Sequence, residues 1–490
     1  MTLPDIQPVR CFKVIECSRG PRPRRTDPVA LPAAPILSSQ ELAADMADLF
    51  LAGLVAAHPF ESMADPHAVV AVTPGTAVSL HEMLCQVRTL AWSDAAVPLA
   101  DGPSGYGPVA HQRRVLRWNG DRQLTLGTLF RSGVALPVGR AGLSRIYETD
   151  SAVAPVEGPL EAPEESVALS VWSRWCAAHA GAGLRLPGEK SPSAPIHTPA
   201  EMARHILDAP AGRPYYAAAL SALAQDVGMD AGLGAAPVWR GGRLLSLLAR
   251  VERRARLAAV TRLAVQERLM RPAVTAARMT VYLAREERHC DPAQDLYRRA
   301  ADELALAAPD LLSWVSGANL QARARARFER TLFLPLGASN TPSHPSDAAA
   351  HVVVAGAMAT VLKAVLDTRE PRRLRLGARA GDAMDLALEL DKAVSNTALA
   401  RCVTAGYFPA ENHQDMRLGQ SIALHALREV LEADNRDATL SFRDFDGRTL
   451  RLRAKARSFG RGFAELRVGS TGIQWPQDAA EPGAHLTAVV

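Results

Sequence analysis

Aromatic residues are scarce in this sequence, making up 5% of its 490 positions. That scarcity argues against a sandwich or barrel, whose strands draw on aromatic and β-branched side chains. It argues equally against a nucleic-acid surface, which interleaves aromatics with a concentrated basic face. The formal charge is only +5, and arginines such as Arg250, Arg253, Arg254, Arg256 and Arg262 recur along helical stretches. Solvated helix faces account for them. Cysteines are few: the six at positions 11, 17, 85, 176, 290 and 402 include no CxxC pair. Neither a zinc site nor a disulfide framework is expected from them. Long apolar runs are missing too. The longest, Val352 to Leu362, falls short of the roughly 20 apolar residues that span a bilayer. Met1 to Arg10 shows no apolar stretch behind a basic start, so no secretory leader is expected. The chain reads as soluble and cytoplasmic, with no membrane or nucleic-acid partner.

What is present is helical in character. Apolar residues are 48% and charged residues 22%, ordinary for a globular chain, and alanine and leucine favour helices packed through small side chains. The expected fold class is all-α, two packed helical bundles with minor strands near the termini. Ser38 followed by Glu41 is a capping box opening a helix to about Ala57. Acidic or proline-rich linkers are read at Ala154–Glu165 and Leu186–Pro199, with helical segments from Ser166, Ala200 and Tyr215. Leu244–Arg271 is a basic amphipathic stretch halted by Pro272. Helices are expected over Ala293–Ala307, Asp347–Asp367, Asp382 to about Gly406, and Met416–Glu432. Thr439–Arg443 and Thr449–Arg453 flank Asp446-Gly447, a hairpin signal, to which a strand at Val9–Ile15 could add. The expected division is an N-terminal region, 1–199, a helical core, 200–433, and a C-terminal hairpin and tail, 434–490.

Three segments bear chemistry. The sharpest is Thr341-Pro-Ser-His344-Pro-Ser346-Asp-Ala-Ala349-Ala350-His351, running straight into an apolar helix. Upstream lies Arg268-Leu-Met-Arg271-Pro272, and downstream Arg401, Tyr407 and Glu411 stand in the pattern Arg, five residues, Tyr, three residues, Glu. Together and in this order, over roughly residues 200 to 430, they resemble the vanadium haloperoxidase family. The resemblance implies a helical-bundle fold, a homodimer, and a pocket where vanadate bonds one histidine while lysine, arginine, serine and a backbone N–H hold its oxygens. A second histidine there serves peroxide chemistry as acid and base.

Carried over by residue, the resemblance implies that Arg271 and Arg401 are the guanidinium donors, His351 the acid–base histidine, and His344 and Ser346 pocket residues. Several positions depart from the family pattern. Ala264 stands where a lysine is expected, Ala349-Ala350 where Ser-Gly is expected, Tyr407 in place of the vanadium-bonding histidine, and Glu411 in place of its supporting aspartate. Charge-assisted contacts contribute about 1.5–3 kcal/mol each, so losing two of them and the covalent bond points to no cofactor. Vanadate would return only if the parent activity survives.

Three functions follow from the resemblance. The first is a vanadium-independent acid–base enzyme of secondary metabolism, rearranging an α-hydroxyketone of aromatic polyketide or terpenoid type in meroterpenoid biosynthesis. The second is a working vanadium-dependent haloperoxidase oxidising halide with hydrogen peroxide. The third is a non-catalytic binding relative. His413, close to the third segment but wrongly spaced, is a weaker candidate ligand.

Overall fold

A computed structural model of the chain describes residues 31–98, 108–136, 142–147, 196–234, 239–265, 269–284, 295–322, 331–336, 345–373, 383–473 and 475. The linker at 154–165, the segment from Ser166 and the strand expected at Val9–Ile15 lie outside them.

The described residues are mostly helical, with a few short strands, as the composition leads one to expect. In chain order the helices are α1 (Ser39–Leu54), α2 (Leu80–Arg88), α3 (Pro108–Val115), α4 (Leu126–Leu129), α5 (Pro199–Asp208), α6 (Arg213–Ala224) and α7 (Gly241–Val265). Then come α8 (Pro272–Leu283), α9 (Asp295–Ala307), α10 (Pro309–Ala322), α11 (Pro345–Val365), α12 (Leu386–Val403) and α13 (Pro409–Asp434).

Helix α11 is the axis. Every residue from Ala350 to Val365 is buried, which is the state of a helix that is apolar all round. It packs against α7, α12 and α13, while α1 lies against α9, α10 and α12. The crossing of α11 and α13 is made by glycine on both sides. A Cβ on Gly356 would stand 2.5 Å from the Met416 carbonyl oxygen, and one on Gly419 would meet the Val353 carbonyl. The two backbones therefore touch, where helices with ordinary side chains stay 8–10 Å apart.

Several boundaries differ from the sequence reading: the stretch expected over Leu244–Arg271 is helical over Gly241–Val265 and not at Leu269 and Met270, and α1 ends at Leu54. Pro272 does not merely halt a helix; it occupies the first turn of α8, where its missing N–H costs nothing and its fixed φ suits the helix. Helix α13 starts at Pro409 rather than Met416, and its end is closed by the Glu411 carboxylate accepting from the Phe408 N–H at 3.1 Å. At α1 half of the expected capping box forms: the Ser38 hydroxyl accepts from the Glu41 N–H at 2.8 Å, while the Glu41 carboxylate pairs with Arg113.

A hairpin of β1 (Val69–Thr73) and β2 (Thr76–Ser79) packs beside α10. The expected C-terminal hairpin is β5 (Ala438–Arg443) with β6 (Thr449–Lys455); β7 (Phe463–Val468) and β8 (Thr471–Ile473) extend it to a four-stranded antiparallel meander. Between the hairpins, β3 (Arg372–Arg373) pairs with β4 (Ala383–Met384). Leu450, Leu452 and Ala454 alternate inward along β6, the period-2 pattern of a sheet with one buried face. The meander lies on α11 and α13.

The inner face of α1 carries acid. Glu41 pairs with Arg113 at 2.6 Å and Asp48 with Arg117 at 2.5 Å. Asp45 lies buried between them and accepts the Ala410 N–H at 3.2 Å. Burial, then the charges of Glu41 and Asp48, hold Asp45 well above the ordinary carboxyl value of 3.8. A raised folded value contributes stability that is fully present below the unfolded value and is lost as pH rises through the folded one. Asp45→Asn mimics the protonated form, and its amide oxygen can still accept from Ala410. The variant is therefore expected to melt higher than the parent at neutral pH, the two converging below the ordinary carboxyl value. Equal melting temperatures at neutral pH would count against a buried, strained carboxylate.

Candidate active site

Thr397 and Arg401 stand one turn apart on α12 and so share a face. Around Thr397, a pocket of about 10 Å³ is lined by Tyr147, His205 and His351 among others, which is at the lower limit for one water molecule. His351 projects from α11, is 5% exposed, and its Nε2 lies 3.1 Å from the Ala209 carbonyl oxygen. A carbonyl only accepts, so Nε2 donates here, and a neutral imidazole of that tautomer carries its lone pair on Nδ1. The Tyr147 hydroxyl donates to the Ala393 carbonyl at 2.9 Å and sits 3.0 Å from the Thr397 hydroxyl. The rings of Tyr147 and His205 meet edge to face at 6.1 Å. Two imidazoles, a phenol and a hydroxyl thus converge on one small buried space, a set of groups able to take up and relay a proton.

One turn along α12, Arg401 is fully buried. Its Nη1 donates to Asp415 Oδ2 at 2.8 Å, and the second Asp415 oxygen is paired with Arg262 of α7. The ring of Tyr407 covers the Arg401 guanidinium at 3.5 Å. Arg401 Nε and Nη2 are buried with no hydrogen-bond partner among the described residues. Isolated buried charge is costly, and here two cations share one carboxylate.

Arg271 is the exposed N-cap residue of α8, and the guanidinium that shares a carboxylate partner with Arg401 is Arg262. Glu411 is buried and caps α13. Ala350 is buried in α11, whose first turns also carry Ser346 and Ala349, and Ala264 lies at the end of α7. His344 falls outside the described residues. Arg262, Asp415, Tyr147, His205 and Thr397 were not singled out from sequence.

His413 is two positions from Asp415, hence about 200° around α13, and looks the other way. It lines a cavity of about 70 Å³ with Asp48, Trp92, Phe130, Leu399 and Cys402. Burial, then the charges of Arg417 and Arg113, keep its ring well below the ordinary histidine range. Burial likewise pushes the Cys402 thiol up. A thiol held protonated is a poor ligand, whereas a neutral imidazole keeps a lone pair for ligation. Among the described residues no three His, Cys, Asp or Glu side chains are grouped to hold a metal, and no helix is long and apolar enough to cross a membrane.

No family model matches the chain. A stretch of 134 residues is 27% identical to the vanadium-dependent bromoperoxidase of Corallina pilulifera, covering 25% of this chain and 22% of that protein. A stretch of 126 residues is 27% identical to the vanadium-dependent bromoperoxidase of Corallina officinalis, covering 24% and 21%. The matches span about a fifth of the length of these curated relatives.

Proposed function

We propose that this chain, a distant relative of the vanadium haloperoxidases, is a vanadium-independent acid–base enzyme that isomerises a small organic substrate of the α-hydroxyketone kind. The observation that carries the reading is Asp415. A negatively charged side chain lies between Arg262 and Arg401, in the role that a bound oxyanion would fill. Vanadate would bring further negative charge beside a buried carboxylate, and like charges repel strongly away from water. The exposed Arg271 and the Tyr407 ring over Arg401 add to the misfit.

The remaining groups suit proton transfer. In the proposed reaction His351 Nδ1 takes the hydroxyl proton of the substrate, and the oxygen lone pair forms a new carbonyl. The neighbouring acyl or prenyl group moves with its bonding electrons to the adjacent carbonyl carbon. The π pair of that carbonyl settles on its oxygen, a developing charge that a guanidinium such as Arg401 would stabilise, and the proton returns there. The product is an isomer, so no oxidant is consumed. An aromatic polyketide or terpenoid as substrate rests on the resemblance alone.

The test is equilibrium dialysis of the purified protein against micromolar orthovanadate, followed by turnover assays with hydroxyketones. The expected result is no bound vanadium, and His351→Ala slowing isomerisation by about 10²–10⁴-fold while the chain keeps its helical circular dichroism. One vanadium per chain, lost in Arg401→Ala, would overturn the proposal in favour of halide oxidation, the chemistry named for the Corallina proteins.

A further inference from the structure

Resting on that acid–base reading, we propose that the free edge of Arg401 binds a singly charged oxygen ligand of the carboxylate or enolate type, and that Asp415 sets this charge preference. Arg401 is wholly buried, yet among the described residues its Nε and Nη2 have no hydrogen-bond partner. These two atoms form the side edge of the guanidinium, whose parallel N–H groups suit the oxygens of one planar anion. The rest of the group is already held: Nη1 by Asp415 at 2.8 Å, and one face by Tyr407 at 3.5 Å. The guanidinium is thus fixed in orientation, with two buried N–H-bearing nitrogens on one edge that no described residue engages.

Charge decides which anion it takes. Arg262 and Arg401 contribute two positive charges, and Asp415 offsets one of them. Glu411, one turn earlier on α13, is engaged by the Phe408 N–H. A monoanion balances the three-residue cluster, whereas a dianion such as phosphate meets the Asp415 carboxylate at close range. Without that carboxylate the two guanidiniums would favour the dianion. An oxygen turning from carbonyl to enolate or alkoxide during isomerisation belongs to the favoured class.

The experiment is thermal melting of the full chain titrated with acetate or with phosphate at alkaline pH, where phosphate is a dianion, at constant ionic strength made up with HEPES salt. The wild type is expected to show a saturable rise with acetate and none with phosphate. Asp415→Asn is expected to reverse the order, binding phosphate about tenfold more tightly than acetate, a difference of about 1.4 kcal/mol. Arg401→Ala should bind neither. Should Asp415→Asn not fold, Arg262→Met decides instead: removing one positive charge must weaken acetate binding by about tenfold. A wild type that binds phosphate as well as acetate, or neither, overturns the inference, as does an unchanged preference in Asp415→Asn. His351→Ala separates the two claims, since it should bind acetate normally while losing turnover. Lost turnover in that variant with no acetate site anywhere would reject the anion preference and leave the acid–base reading standing.

Discussion

Gly419→Val is expected to abolish stable folding, with a cost of about 3 kcal/mol or more. Overpacking usually costs less because a side chain can turn aside. Here the neighbours of the added Cβ are backbone atoms: the Val353 carbonyl, the Ala357 N at 2.7 Å and the Gly356 carbonyl carbon at 3.1 Å. Backbone in two regular helices cannot move without moving the helix. The only relief is to part α11 and α13, which would uncover apolar residues along both, at about 25 cal/mol per Å². Circular dichroism melting of Gly419→Ala and Gly419→Val checks this, with Gly472→Ala as control because nothing lies within 4 Å of that position. A Gly419→Ala protein that melts with the control would show that the backbones are not in contact.

Lys363→Met is expected to destabilise by about 3–5 kcal/mol. Lys363 is 1% exposed in α11, its Nζ lies 2.6 Å from Asp391 Oδ1, and the ammonium rests over the Phe445 ring at 4.2 Å. Burial raises Asp391 above the usual carboxyl value, and Lys363 is the chief group pulling it back. Removing the lysine leaves that carboxylate uncompensated, so its folded value rises further. The variant should therefore be most stable at acid pH and lose stability as pH rises through that value. Adding Asp391→Leu removes the stranded charge, and the double variant should recover most of the loss. Strict additivity of the two substitutions in a denaturant melt would rule out the coupling.

These expectations rest on contacts of differing visibility in the sequence. The cap at Ser38, the hairpin across Asp446-Gly447 and the buried character of Val352–Leu362 were legible because each is a local pattern. Gly447 even has the positive φ, 81°, that such a turn calls for. The start of α13 was missed because Pro409 and Glu411 open a helix whose first turns hold Asn412 and His413, polar residues that read as loop. Both are buried, and Asn412 donates to the Ala398 carbonyl at 3.1 Å, so tertiary packing overrides the local signal.

The site divides in the same way. His351 stood out because proline, small residues and a helix start precede it. Asp415 carried no such mark: a single aspartate in a helix is normally solvated, and only the meeting of α7, α12 and α13 makes it the partner of two arginines. Arg262 had been grouped with exposed arginines of the same helix. It differs from Arg253 and Arg256 only in the face it occupies, and the charge pattern of α7 does not say which face turns inward.

The contacts of the terminal meander carry a consequence for synthesis. The 3₁₀ turn at Ala231–Leu233 sits so close to β5 that a Cβ on Gly232 would strike the Thr439 carbonyl, and the Asp230 N–H is bonded to the Val365 carbonyl at 2.7 Å. The middle of the chain is thus covered in part by residues translated much later. A nascent chain completes α11 well before β5 is made to pack on it. Until then that flank of α11 remains apolar and open, a window for chaperone capture that closes when β5 docks.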